Sequence, residues 1–149
     1  MAQMWNSLRT TRILLNELIR DTLLAGFSAK PPVFSSTEYT AQFQISTDTM
    51  YEMQADILCT VPQHIGYFPE GKTTFQTLSE INQTMLPTIK MSGGQFLIWP
   101  LWTAGILDIA TEEVREFVIR NLNSIGRTMG IKQAHALAVI LEMKAGINL

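Results

Sequence analysis

The spacing of apolar positions predicts helices along most of the chain. From Met4 to Phe27, the residues Met4, Trp5, Leu8, Leu15, Leu18, Ile19 and Leu23 recur at helical spacing and mark one broad apolar face. Glu17 and Arg20, three apart, are placed to pair on this helix. Arg12 falls inside the stripe and is expected to lay its stem along the core with its head in water. Gly26 and then Pro31-Pro32 end the element. Ser28 to Ile45 carries Pro, Ser and Thr without a sustained period and reads as a long connection. A second helix then starts with Ser46 or Thr47 as its cap and Asp48 in its first turn. Met50, Met53, Ile57 and Val61 repeat on one face of it, and Pro62 stops it. Gln63 to Tyr67 reads as a turn, and Thr73 to Met85 permits a short helix through Phe75, Leu78, Ile81 and Met85.

The stretch from Gly93 to Gly130 organises the rest. Gly93-Gly94 precedes a helix predicted from about Gln95, apolar from Phe96 to Ile109 and kinked at Pro100, where a backbone donor is lost. Trp99 and Trp102 lie on it and are both expected to be largely buried. The run is too short and too interrupted to span a bilayer, which needs roughly 20 apolar residues. Thr111 then caps a helix with Glu112 and Glu113 in its first turn. Val114, Val118, Leu122, Ile125 and Met129 form its stripe, Glu116 and Arg120 pair on its other side, and Gly130 stops it. A last helix, Ile131 to Ala145, is apolar nearly all round and is expected to be packed on two sides. The pattern predicts an all-α chain, an irregular bundle of about five helices in one domain spanning residues 1–149.

Composition sharpens this picture in two ways. Hydrophobic residues make up 46% and charged residues only 16% of the 149 positions, below the ~25% usual in soluble domains. So few charges point to apolar surface that something else covers, and the eight methionines fit adaptable contacts too, although most of them are expected to fill the core. The 11 basic residues are scattered and the net charge is −2, which argues against direct DNA binding, since phosphate neutralisation needs a clustered basic face. Cys59 is the only cysteine, which excludes an internal disulfide and a cysteine-rich zinc site. The first residues lack the apolar core of a signal peptide, so an intracellular location is expected.

Reaction chemistry is not written in the chain. The two histidines, His64 and His135, have no acidic, cysteine or histidine neighbour at a metal-motif spacing, and read as structural. No G-x-S-x-G elbow supports a triad. Gly93-Gly94 lacks the strand and further glycines of a phosphate loop and reads as the start of a helix. The carboxylates of Asp108, Glu112 and Glu113 are accounted for by capping. No catalytic, cofactor-binding, metal-binding or DNA-contacting residue is assigned, no cofactor is called for, and the chain is expected not to be an enzyme.

Three blocks carry a resemblance: WNSLRTTRILLNELI at Trp5 to Ile19, ADILCTVPQHIGY at Ala55 to Tyr67, and GGQFLIWPLWTAGILD followed by VREFVIRNLNSIGRTMGIKQAHALA. Together and in this order, they resemble the C-terminal regulatory region of fungal binuclear zinc-cluster transcription factors, the fungal-specific transcription factor domain. There a helix ends in a VP-x-H-x-G turn, and an apolar WPL-x-x-AG helix leads to one bearing an arginine and an aromatic. A G-I-x-x-A turn then opens another helix. The family's six-cysteine DNA-binding cluster has no counterpart here. The resemblance therefore implies the end of a regulatory domain, truncated or standing alone, nuclear and working in transcription regulation through protein contacts, with a small-molecule effector compatible with it. A truncated or degenerate paralogue without regulatory activity is the alternative, and a small-molecule-sensing helical domain stands behind both. The helices around Phe96 to Ile109 and Ile131 to Ala145 lack continuous polar faces, so self-association or a helical protein partner is expected through them. An internal apolar pocket would favour sensing, whereas an exposed apolar face favours a partner.

Overall fold

The computed structural model describes residues 2–65 and 87–147. The short helix expected over Thr73 to Met85 lies outside them, as does the end of the turn at Tyr67. Among the described residues the chain is all-α: α1 (Ala2–Ser28), α2 (Thr37–Cys59), a single turn α3 (Val61–Ile65), α4 (Pro87–Ile106), α5 (Glu112–Met129) and α6 (Lys132–Ile147). The expectation of about five helices holds, with α3 added as a short sixth.

The apolar helix α4 is the shared wall of two cores. Its Leu97, Ile98 and Leu101 join Val61 and Ile65 of α3, Val118, Leu122 and Ile125 of α5, and Ala134, Leu137, Ala138 and Leu141 of α6. Further along, Ala104, with Leu107 and Ala110 beyond the helix end, packs on Ile13 of α1 and Met50, Met53 and Ile57 of α2. The α1–α2 pair and the α5–α6 pair therefore flank α4, each burying its own apolar residues there. Each fully buried Leu or Ile contributes about 1.5–3 kcal/mol, so these two clusters hold the fold.

The ends of α5 follow the sequence closely. Thr111 has extended backbone and its hydroxyl accepts from the Val114 N–H at 3.4 Å. Gly130 closes the helix in the left-handed conformation, φ 69°, which a glycine adopts without steric cost. Of the stripe, Val118, Leu122 and Ile125 are fully buried. The ion pair on this helix joins Arg115 to Glu112 at 3.8 Å, in place of the expected Glu116–Arg120.

Elsewhere the structure departs from the pattern. α2 starts at Thr37, so the connection is much shorter than Ser28 to Ile45, and Ser46 is a buried mid-helix residue instead of a cap. Polar residues hide this helix's period. Ser46 and Gln54 hold inward positions beside Met50, Met53 and Ile57, and Thr47 and Thr49 return their hydroxyls to the carbonyls of Phe43 and Ile45. α4 begins at Pro87, eight residues before Gln95, and continues through Pro100. A first-turn proline loses no intrahelical bond, which makes Pro87 a good start. Gly93-Gly94 is therefore helix interior and does not open the helix. Trp102 is partly buried against the first core, but Trp99 is 53% exposed. Among the described residues α6 packs on one side only, through Ala134, Leu137, Ala138 and Leu141, and exposes Val139, Ile140 and Met143.

Candidate functional site: two polar nodes and an apolar outer face

α1 turns most of its apolar stripe outward: of the seven stripe residues Leu23 is buried and Ile19 half-buried. Its inward positions are Asn6, Ile13, Arg20 and Leu23. Met4, Trp5, Leu8, Leu15 and Leu18, expected in the core, are exposed, and so is Arg12. A helix does this only when polar inward residues find partners, because an unsatisfied buried polar group costs about 1–3 kcal/mol. Two polar nodes supply most of them, while the Arg20 Nε–H is buried without a partner.

The first node surrounds Asn6. Its Nδ2 donates to Thr60 Oγ1 at 2.7 Å, and the Thr60 hydroxyl donates in turn to the Ile57 carbonyl at 2.7 Å. Arg9 donates to Asn6 Oδ1 at 3.1 Å and, from Nε, to Asp56 at 3.0 Å. Those bonds fix the amide orientation, so the Asn6 Nδ2 facing His64 Nε2 at 3.3 Å is a donor and Nε2 accepts. His64 is thereby the neutral tautomer. Burial pushes its pKa down, while a hydrogen bond with the Gly93 backbone works in the opposite sense and the positive amino terminus adds slightly to the fall.

The sign of the resulting pH dependence follows from that direction. A depressed folded-state value means that, as pH falls below about 6.5, the unfolded chain takes up the proton first. Stability is complete above that value and is lost on acidification, at up to ~1.4 kcal/mol per pH unit between the two pKa values. Chemical denaturation from pH 7.5 downwards should show this slope, and His64→Gln should remove it. Equal slopes in the two proteins would contradict the assignment.

The second node gathers at the C-terminal end of α4, where unsatisfied carbonyls and the negative end of the helix dipole meet. Gln54 Nε2 donates to the Ala104 carbonyl at 2.7 Å, Lys144 Nζ to that of Ile106 at 2.6 Å, and Arg115 to that of Leu107 at 3.5 Å. Arg20 completes it with a two-pronged pair to Asp108 at 3.0 and 3.1 Å, while its guanidinium carbon stands 5.2 Å from the Phe43 ring centre. Arg20 therefore turns to Asp108 and not to Glu17. The Arg20 hydrogen bonds hold the Asp108 carboxyl below its usual range, against the effect of burial. Burial first, then the neighbouring Asp21 and Asp108, raise that of Glu17. Side chains from four helices thus cap one helix end.

These nodes hold helices together. Among the described residues no three His, Cys, Asp or Glu side chains are grouped to hold a metal ion. His64 is held by Asn6, and His135 Nδ1 meets Asn123 Oδ1 at 2.8 Å. A shallow recess on α5 is lined by Arg120, Asn123, Ser124, Arg127 and Thr128, all from one helix. No described helix is long and apolar enough to cross a membrane.

The exposed apolar surface is the feature that the packing leaves open. Its longest part is the outer face of α1, with Phe96 and Trp99 on α4 and Val139, Ile140 and Met143 on α6 as smaller additions. No protein-family model, curated protein or solved structure matches the chain significantly.

Sequence reasoning missed Asn6, Gln54 and the Arg9–Asp56 link. Asn6 and Gln54 are polar residues on inward helix positions, and the Arg9–Asp56 link is a part-exposed pair between two helices; hydrophobic periodicity carries no mark of any of them.

Proposed function

We propose that this chain is a regulatory interaction module of a fungal transcription regulator, working in the nucleus through protein contacts. The observation that carries the interaction part is the outer face of α1, where Met4, Trp5, Leu8, Leu15 and Leu18 are exposed on a helix that turns Asn6 and Arg20 inward. Exposed apolar patches of this extent mark protein contact surfaces. The transcriptional part rests on the resemblance of the three sequence blocks to the fungal regulatory domain. Net charge of −2 with scattered basic residues supports action through a partner rather than on DNA.

Fusing the full chain to an unrelated DNA-binding domain in a fungal host tests this reading. The expected outcome is a reporter level that differs from that of the DNA-binding domain alone, in a manner abolished by charged substitutions on the α1 face. A well-expressed fusion that leaves the reporter unchanged would replace this reading with that of a degenerate paralogue.

A further inference from the structure

α1 carries a heptad seam on the side it turns away from the bundle. Met4, Leu8, Thr11, Leu15, Leu18 and Thr22 succeed one another at alternating steps of four and three residues, the a and d spacing of a coiled coil. All six are exposed. Asn6, Ile13 and Arg20, spaced by seven, are buried in the bundle and occupy the f positions, diametrically opposite the seam. The described helices therefore stand behind α1, and among the described residues none covers the seam. Trp5 and Leu14 widen it at the flanking e and g positions.

We propose that two copies of the chain pair through this seam as a parallel coiled coil of α1 with α1. In that arrangement Leu8, Leu15 and Leu18 each meet their own counterpart, Ser7 flanks Arg12 of the second copy, and Leu14 flanks Ile19 of the second copy. No like charges oppose one another. An antiparallel pairing would set Arg12 against Arg12, which is destabilising. Met4, Trp5, Leu8, Leu14, Leu15 and Leu18 are each between 50% and 64% exposed. Together they leave on the order of 500 Å² of apolar surface open, against about 800 Å² per partner in a standard stable interface. The polar rim of Ser7, Arg12 and Asp21 makes up part of the difference, and with Thr11 and Thr22 in the seam the dimer is expected to be weak, of the micromolar class. Pairing gives the interaction module proposed above a partner; it rests on that reading for its consequence and on the seam for its geometry.

Sedimentation of the full chain from about 1 to about 200 µM tests the proposal across that affinity class. The wild type is expected to shift from monomer to dimer mass within the range. Leu15→Glu with Leu18→Glu is expected to stay monomeric with unchanged helical circular dichroism, since both side chains face solvent in the monomer. Ile140→Glu with Met143→Glu, on the exposed face of α6, is expected to dimerise like the wild type. A wild type that stays monomeric, or a dimer that survives the α1 charges, overturns the pairing. Leu15→Cys in a Cys59→Ser background reads the orientation, because only the parallel form brings the two new thiols together. A mild oxidant is expected to yield a covalent dimer, and a sedimenting dimer that resists cross-linking overturns the parallel form. A monomeric chain that still alters the reporter removes the dimer and leaves the interaction reading intact; a dimer with a silent reporter does the reverse.

Discussion

Gly93→Ala is expected to destabilise the chain by about 2–3 kcal/mol, while Gly94→Ala leaves stability within about 1 kcal/mol. The two glycines are neighbours in one helix and face different obstacles. A methyl group on Gly93 would run into the backbone carbonyl of His64, with the rest of that peptide close behind. Neither a rotamer change nor a small side-chain shift relieves such a contact, so α3 would have to move away from α4. That movement pulls on His64, whose ring bonds to Asn6 and to the Gly93 backbone. A methyl group on Gly94 would instead meet the sulfur and terminal methyl of Met129. Those atoms end a flexible side chain that can swing aside, and alanine gains helix propensity of ~1 kcal/mol over glycine to offset the cost. Thermal unfolding followed by circular dichroism should place Gly93→Ala roughly 4–12 °C below the wild type. Equal midpoints for the two variants would mean that the α3–α4 approach is looser than the structure shows.

These glycines also show where sequence reasoning reaches its limit. A Gly-Gly pair ahead of an apolar run has two physical meanings, a break in the chain or a close approach between backbones. Only the position of α3 decides between them, and α3 is distant in sequence. Trp99 fails for a related reason. In an uninterrupted apolar run there is no polar phase to say which side faces out, so Trp99 and Trp102 look alike although they differ in exposure. Where local signals are self-sufficient, the reading holds. Thr111 and Gly130 delimit α5 because capping and left-handed glycine are decided within a few residues.

α1 is the instructive failure. Its strongest apolar stripe is real, but the stripe reports what the helix offers and not where the rest of the chain lies. An apolar stripe becomes a buried face only where another element packs onto it, and on α1 the bundle packs onto the opposite side. That inward side was legible in principle as Asn6, Ile13 and Arg20 at sevenfold spacing, had two polar residues not concealed it. The polar nodes were not legible at all, since Asn6 meets Thr60 and His64, and Arg20 meets Asp108, across wide sequence separations.

Asp108→Asn should cost about 2 kcal/mol, and Arg20→Met much less, although both remove the same ion pair. The asymmetry arises because the partners are unequally buried: the side chain of Arg20 is 10% exposed and that of Asp108 63%. Removing the carboxylate strands a guanidinium beneath Phe43 and Met50 with a carboxamide that offers one acceptor where two bonds existed. The general cost of breaking a buried pair, about 3–5 kcal/mol, is reduced here because the Asp108 end is in solvent and water can reach it. Removing Arg20 instead eliminates the buried charge and leaves an exposed aspartate, which water solvates. A methionine there retains the stem volume beside Met50, so packing losses are small. Acid gives an independent reading of the same bond. Asp108 has a depressed folded-state value, so its contribution is present above about 3.8 and is lost as pH falls through that lower value. The wild type should therefore lose stability over that acid range more steeply than Asp108→Asn. If Arg20→Met proves as costly as Asp108→Asn, the guanidinium is stabilising in its own right, through Phe43 and not through its pair, and the α4 end is held by aromatic contact instead of charge.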